Sequence, residues 1–436
     1  MALAFLMFNK SFFSEYIKHL LRSYPFVSRY EREVATLYAM SPKALLQVEE
    51  QRFLHIFRMA YTRSSFYHDL WSQAGISIDD ISSLGDIVKL PVITKQQVRD
   101  NIEAIRIVPR LECVKAHTSG TTGMPLSLYE GWPTIWREEA YLRYYRRRCG
   151  FDYAVDELVS LRGHLDRAHS SLYIPNLHCL FLSSFDINEP CAAAYHELVS
   201  RHRPKAIEGY PSAIFSLCRL WDRMGLSCHI PFTFTSSESL DDCMRHYIEH
   251  FLDTQVYDHY GNTERTIALS ETFDHQGYFE VPGYSVNQYR DDCVITTSLI
   301  NEAFPLIRYR VDDVVKLSGN ARSCSIAPVA SKIEGRATQV IVGKDGTRYG
   351  AAALTYFAKA IPGALFVQLV QNTAGKMVVN IVPGEGFASA SDGVRAAVDT
   401  LIGLENIDYS ICLVDESQLV FSSSHKLSLI ASSLTI

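Results

Sequence analysis

The stretch Thr118-Ser119-Gly120-Thr121-Thr122-Gly123 interleaves hydroxyl side chains with two glycines. Glycine lets backbone N–H groups turn toward an anion without a Cβ in the way, and serine and threonine hydroxyls add donors that follow a phosphate as it moves. The stretch reads as a phosphate cradle, although a polar hairpin turn draws on the same residue types. It is not the Gly-x4-Gly-Lys-Ser/Thr loop, because no Lys-Ser or Lys-Thr follows at the required spacing. Positive charge for a phosphate must therefore come from elsewhere in the chain.

Four other runs bear on the same chemistry. Tyr260-Gly261-Asn262-Thr263-Glu264 closes the segment 256–264 with an aromatic ring, a glycine, two small polar side chains and a carboxylate. An aromatic face stacks on a nucleobase, and a carboxylate holds the hard cation that accompanies polyphosphate; an ordinary loop with a solvated Glu264 is the plainer account. In the segment 306–313, Arg308 and Arg310 stand beside Asp312 and Asp313. Asp313 suits ribose hydroxyls, with Arg310 supporting it or meeting a phosphate, and internal salt bridging explains the same pattern. Glu208-Gly209-Tyr210-Pro211-Ser212 is a strand end turning into a helix, where glycine admits either a flat ligand or a tight turn. Ser236-Ser237-Glu238 also precedes a helix, so N-capping accounts for at least one serine. A basic run, Arg143, Arg146, Arg147 and Arg148, lies on a tyrosine-rich helix and is expected on a solvated or subunit-facing surface.

These runs need strand ends to hold them. From residue 113 to about 330, short β-rich runs alternate with amphipathic helices, the pattern of a layered α/β domain. Strands are expected at 157–161, 206–209, 232–235 and 254–258, and helices at 132–148, 191–202, 211–224 and 240–251. Apolar runs at 113–116 and 124–128 set the glycine-threonine stretch between two strands. Ligands bind at the carboxyl edge of such sheets, where the candidate turns fall. Before this region, 11–73 has the spacing of amphipathic helices; Ser41-Pro42 is a helix start, and Thr94 is placed to cap another. The last hundred residues read as a separate β-α-β-β-α-β unit: a hairpin around Lys344-Asp345-Gly346, a helix at 351–360, a hairpin of 365–370 with 377–382, a helix near 394–402 and a strand at 409–414. The expected organisation is a large domain over 1–332, with a mostly helical cap over 1–90, and a small α+β domain over 333–436, hinged near 332–335.

The chain has 436 residues, enough for two or three domains, and 47% hydrophobic with 21% charged residues is the balance of a folded protein. A net charge of -6 provides no basic field, which argues against nucleic acid as a partner. Ten cysteines without a C-x-x-C pair, metal spacing or secretion signal point to reduced thiols in a cytoplasmic setting. The apolar run 1–8 is far short of the roughly 20 residues that span a bilayer, and no transmembrane segment is expected.

Together the motifs resemble the adenylate-forming superfamily of acyl-CoA synthetases, adenylation domains and luciferases, and within it the phenylacetate-CoA ligase group with its capsular-polysaccharide-associated relatives. Residues 118–123 match the family's Thr-Ser-Gly-Thr-Thr-Gly phosphate loop at every position. Gly209-Tyr210-Pro211-Ser212 matches this branch's turn, and Tyr260-Gly261-Asn262-Thr263-Glu264 matches Tyr-Gly-x-Thr-Glu. Arg308-Tyr309-Arg310 with Asp313 matches Arg-Tyr-Arg-x-Gly-Asp except that Asp312 replaces the glycine. Order and spacing agree from about residue 90 to 340.

The resemblance implies a large layered α/β adenylation domain with a small mobile α+β domain. It implies ATP- and Mg2+-dependent activation of a small carboxylic acid to an acyl-adenylate, then transfer to CoA or a carrier-protein thiol. A homodimer is among the assemblies left open. Transfer to a non-CoA acceptor, or an accessory nucleotide-binding role in surface polysaccharide synthesis, is the alternative. By resemblance Thr118, Ser119, Gly120, Thr121, Thr122 and Gly123 hold the phosphates. Ser237 and Glu238 lie beside the adenine or the acyl pocket; Tyr260, flanked by Gly261 and Asn262, stacks on adenine; Asp313 binds the ribose; and Glu264 coordinates Mg2+. Lys426, Arg310 and Thr263 form the catalytic set, Tyr210, Pro211 and Ser236 line the substrate pocket, and Gly335-Arg336 opens the mobile domain. Three departures stand out: Ala337, Thr338 and Gln339 replace the acidic residue after Gly-Arg, His425 replaces a glycine before Lys426, and Cys324-Ser325-Ile326 replaces a Cys-x-Cys-Gly, which weakens the case for a metal there.

Overall fold

A computed structural model describes residues 26–117, 126–162, 170–184, 186–238, 240, 242–318, 324–336, 340–346, 348–350, 354, 361–384, 386–421, 427 and 429–434. The described chain opens with helices Phe26–Ala39, Pro42–Arg63 and Ser65–Gln73. Ser41 accepts a hydrogen bond from the Ala44 N–H at 3.4 Å and Pro42 takes the first turn, so the helix start is built as its residue types require. Leu45, Phe53, Ile56, Phe57 and Ala60 form the buried stripe of the long helix. Phe53, Phe57, Tyr67 and Trp71 pack on one core with Phe304, Leu306 and Tyr309. This helical segment therefore supports the 306–313 run. The buried Tyr67 hydroxyl donates to the Pro305 carbonyl and accepts from the Ile307 N–H, both at 3.0 Å.

Ten strands form the central sheet, in the order Asp313–Leu317, Ala330–Arg336, Tyr278–Glu280, Ala268–Glu271, Gln255–Gly261, Phe232–Ser236, Ala206–Gly209, Leu158–Arg162, Cys179–Ser183 and Ser171–Ile174. The middle five, from Gln255–Gly261 to Cys179–Ser183, are mutually parallel, and the flanking strands are antiparallel. Parallel strands need a helical crossover, and Glu189–His202, Pro211–Arg223 and Asp242–Leu252 occupy those places. Trp221, Ile214, Ile248 and Leu252 cover one face over Val159, Leu161, Ile207 and Val256. Tyr141, Tyr145 and Cys149 of the helix Trp132–Cys149 cover the other over Leu158, Phe234 and Tyr257. Burial on both faces is the usual condition of a parallel sheet.

Gly209 shows what its position demands: a Cβ there would stand 3.0 Å from the Leu161 carbonyl oxygen and 3.1 Å from the Leu161 Cβ on the neighbouring strand. Close strand packing thus accounts for this glycine without a ligand. The hairpin Cys113–His117 with Ser127–Gly131 brackets the glycine-threonine stretch, as the flanking apolar runs suggest. A separate three-stranded sheet joins Ser285–Tyr289, Val294–Ser298 and Tyr309–Val311.

The C-terminal region builds a four-stranded sheet in the order Asp408–Leu413, Lys376–Pro383, Ala364–Thr373 and Ile430–Ser432, covered by the helix Ser391–Leu401. Its core gathers Leu369, Met377, Val379, Ile381, Val394 and Val398. The first expected hairpin is Val340–Val342 with Arg348–Gly350, while the helix expected at 351–360 lies almost wholly outside the described residues. Residues 332–335 run inside the strand Ala330–Arg336, which pairs Arg336 with Asp313. The C-terminal sheet packs on the central domain: Phe366, Val382 and Leu419 join the cluster of Ile214, Phe215 and Ile248, with the Phe215 and Phe366 rings edge to face at 5.7 Å.

The arginine run is split: Arg147 and Arg148 are exposed, as expected, whereas Arg146 is not. Arg146 is buried, with its guanidinium 4.6 Å from the Phe234 ring, and Arg148 stands 4.8 Å from the Phe273 ring. Helix periodicity turns these residues in different directions, and aromatic faces take the cations that composition alone assigns to solvent.

Candidate active site

The strand Gln255–Gly261 carries Asp258, His259, Tyr260 and Gly261 to the carboxyl edge of the parallel sheet. Tyr260 donates its hydroxyl to Asp313 Oδ2 at 2.6 Å, joining two motifs 53 residues apart in sequence. Burial, reinforced by Asp313, pushes the Tyr260 phenol well above its ordinary range, so it remains a donor. Asp313 begins its own strand, opposite Arg336. The side chain of Arg336 lies outside the described residues.

Beyond Gly261 the chain turns on Asn262, whose Oδ1 accepts the Thr266 N–H at 3.0 Å and whose Nδ2 donates to Thr266 Oγ1 at 2.7 Å. Thr263 is half-buried in that turn. Glu264 is 7% exposed and receives the Tyr309 hydroxyl on Oε1 at 3.1 Å, a second link between the 260–264 and 308–313 motifs. Arg265 has φ 56°, and its guanidinium is fixed by Glu130 at 2.6 Å and Glu138 at 2.8 Å. These contacts hold the turn in a backbone conformation that non-glycine residues rarely adopt.

The 308–313 run is held from behind. Arg308, at φ 51°, donates to the Val88 carbonyl at 2.7 Å and to the Leu90 carbonyl, while the Ile93 N–H donates to the Arg308 carbonyl at 3.0 Å and the Arg310 N–H to the Ile93 carbonyl at 2.9 Å. Thr94 and Gln97 form a capping box, which fixes Ile93 just before a helix. Arg310 pairs with Asp312 at 2.8 Å and Asp292 at 2.9 Å, the internal salt bridging weighed above, and Tyr260 makes the contact to Asp313.

On the adjacent strand end Ser236 lies opposite His259. Ser237 has φ 71°, and its Oγ is 3.5 Å from Ser236 Oγ. Because the following helix is described from Asp242, Ser236 ends its strand and Ser237 belongs to the connecting loop, neither standing at the cap position. Glu238 Oε1 accepts the Leu427 N–H at 3.1 Å, which brings the C-terminal region to this loop. Tyr210 ends its strand turn half-buried, and Pro211 is buried in the first turn of its helix. Thr118, Ser119, Gly120, Thr121, Thr122, Gly123 and Lys426 lie outside the described residues.

Sequence reading missed the ionisable groups beneath this edge. Asp258 accepts from Thr235 Oγ1 at 2.6 Å and the Tyr278 hydroxyl at 2.8 Å, and burial raises its carboxyl to about 6. Glu271 accepts the Asp258 N–H at 2.9 Å and pairs with Arg245 at 2.7 Å. His259 shares a hydrogen bond with Ser270 Oγ at 3.1 Å, and burial, with Arg146 and Arg265 adding to it, lowers its imidazole to about 3. The imidazole is thus neutral across the physiological range. Arg146 pairs with Glu208 at 2.5 Å. The partners are far apart in sequence, so only alternation within each strand hinted that their side chains share a face.

The mixed sheet, its crossovers and the C-terminal sheet are the fold of the adenylate-forming CoA ligases. The structure aligns with 2-hydroxyisobutyryl-CoA ligase in the postadenylation state with 2-HIB-AMP at a TM-score of 0.71 and 17% identity, over 91% of both chains. It aligns with an anthranilate CoA ligase in complex with anthranoyl-AMP at a TM-score of 0.51 and 13% identity, over 79% of this chain and 73% of that one. Among sequence relatives, a Staphylococcus aureus protein named CapK is 25% identical over 288 residues, 63% of each chain. A phenylacetate-coenzyme A ligase of Pseudomonas putida is 25% identical over 337 residues, 69% of this chain and 73% of the relative. The match thus spans less than two thirds of the CapK relative's length. No protein-family profile matches the chain. The resemblance read from the motifs holds in both comparisons: the relatives include phenylacetate-CoA ligases and CapK, and the fold is that of acyl-CoA ligases.

Proposed function

We propose that the chain activates a carboxylic acid with ATP, forming an acyl-adenylate and releasing pyrophosphate, and passes the acyl group to a thiol such as that of CoA. The observation that carries this reading is the 2.6 Å contact of Tyr260 with Asp313 at the carboxyl edge of the sheet. It puts an aromatic face and a carboxylate acceptor side by side, the pair that a base and its ribose require. The relatives named phenylacetate-coenzyme A ligase support the acid-thiol assignment.

Glu264 fits a nucleotide-bound Mg2+. It is a nearly buried carboxylate, and this ion is held by one or two carboxylates together with phosphate oxygens and water. When bound, the ion neutralises charge on the phosphates. Tyr260 and Asp313 orient the nucleoside, the Asn262 turn fixes Thr263 and Glu264, and the hydroxyl-rich stretch 118–123 supplies donors to the phosphates. As the acid's oxygen bonds to the α-phosphorus and the bond to pyrophosphate breaks, negative charge grows on the phosphate oxygens, and Lys426 is the cation proposed to meet it.

Pyrophosphate release by the purified protein, with Mg-ATP and a library of carboxylic acids, tests the reading. Release that depends on both acid and ATP supports it, and none with any acid overturns it. Thioester detection by mass spectrometry with CoA present then tests the thiol step.

A further inference from the structure

Beneath Ser236, which the resemblance places in the substrate pocket, the sheet carries charge. Ser160, Glu208, Phe234 and Tyr257 form one rung across four parallel strands, and Ser236 with His259 stands two residues nearer the carboxyl edge. Side chains alternate along a strand, so both rows face the helix Trp132–Cys149. At about 3.3 Å per residue the lower row lies roughly 7 Å beneath the upper one. Glu208 Oε1 accepts from Ser160 Oγ at 2.6 Å, and Glu208 Oε2 accepts from Arg146 at 2.5 Å. Arg146 also donates to the Tyr153 hydroxyl and lies over the Phe234 ring. One turn up the helix, Arg143 pairs with Glu139 at 2.9 Å and stands 5.2 Å from the Tyr153 ring. The Arg146 and Glu208 side chains keep 10% and 16% of their surface accessible, so the pair is covered without being sealed.

We propose, resting on the adenylating activity above, that the acid this chain activates is short and hydrophilic, carrying hydroxyl or amino groups that bond to Arg146, Glu208 and His259 as its specificity-determining residues. The depth sets the length: an acyl group entering at Ser236 and His259 meets the ion pair within about 7 Å. Polarity follows from desolvation. An aryl or alkyl group pressed on that pair removes its remaining water and returns no hydrogen bond, whereas a hydroxyl or amine returns one. Discrimination by such bonds exceeds that of an apolar pocket for one methylene.

The test compares kcat/KM for pyrophosphate release across near-isosteric acids, glycerate, lactate, serine and alanine against butyrate and propionate, with phenylacetate as a larger apolar acid. The expected result is a preference of tenfold or more for the substituted acids. Replacing the pair by apolar residues of similar volume, Arg146→Met with Glu208→Leu, keeps the core filled and should reduce or invert that preference. Equal or better use of the apolar acids by the unaltered chain overturns the proposal while leaving the adenylating activity standing, and needs no variant. A preference unchanged in a folded double variant also overturns it. No release with any acid overturns the adenylating reading and this proposal with it.

Discussion

Replacing Tyr260 by Phe isolates one atom of the proposed nucleotide site. The ring stays, so stacking and the packing of the strand end are kept, and the loss is the 2.6 Å hydrogen bond to Asp313. A bond from a neutral donor to a charged acceptor contributes about 1.5–3 kcal/mol, or roughly 10- to 150-fold in an equilibrium constant. Asp313 is only half-buried, and water replaces part of what the phenol gave, so the lower end applies: KM for ATP should rise about tenfold. Turnover at saturating ATP should change little, because the phenol touches no reacting atom in this arrangement. Initial rates of pyrophosphate release against ATP concentration measure the first quantity, and a double-mutant cycle with Asp313→Asn measures the coupling. The two changes act through one contact and should be markedly less than additive. An unchanged KM with a lowered melting temperature would make the pair a structural strut and refute the nucleotide assignment.

Glu264→Gln keeps an oxygen for the Tyr309 hydroxyl but removes the charge, so the Mg2+ concentration giving half-maximal rate should rise roughly 10- to 100-fold while the melting temperature holds, read by Mg2+ titration. Asp258 holds its proton to about pH 6 in the folded chain and to about 3.9 when unfolded, so the cost of its burial is absent below pH 4 and complete above pH 6, reaching on the order of 3 kcal/mol. Urea midpoints should therefore show Asp258→Asn gaining stability relative to the unaltered chain between pH 4 and pH 7.5; a constant difference would place the raised carboxyl elsewhere. Phe366→Ala removes a buried ring from the contact with Phe215 and should cost about 3 kcal/mol, measured as earlier proteolysis between the two sheets and a lower melting temperature.

What could be read in the sequence was whatever is local. The strand Ala206–Gly209 begins and ends where its residues place it, and the helix starts at Ser41 and Thr94 follow from one hydroxyl and its neighbours. The motif 260–264 was legible because ring, turn and carboxylate are consecutive. Its partners were not. Tyr260 meets Asp313 because the end of one strand and the start of another, four places away in the sheet order, are brought together, and no period in the sequence encodes that order. Within the arginine run Arg146 departs from the expectation for a related reason: charge suggests solvent, but Glu208, Tyr153 and Phe234 come from three other segments to receive it. Arg265 likewise depends on Glu130 and Glu138, more than a hundred residues earlier.

Two of the candidate runs are also held from outside themselves. The N-terminal helices hold 305–307 through Tyr67, and Arg308 ties the same run to Val88 and Leu90. Glu238 is tied to the C-terminal region through the Leu427 N–H. If the C-terminal sheet turns during catalysis, as the resemblance implies, that bond breaks and the Glu238 carboxylate loses a donor beside the proposed acyl site. Phe366, Val382 and Leu419 would leave the Phe215 cluster at the same time, each exposing apolar surface whose burial stabilises by about 1.5–3 kcal/mol. Under that rotation, a second docking position for those three side chains on the central domain would offset the several kcal/mol lost. On the proposed reading the acceptor thiol would enter in that second position, coupling release of Glu238 to its arrival.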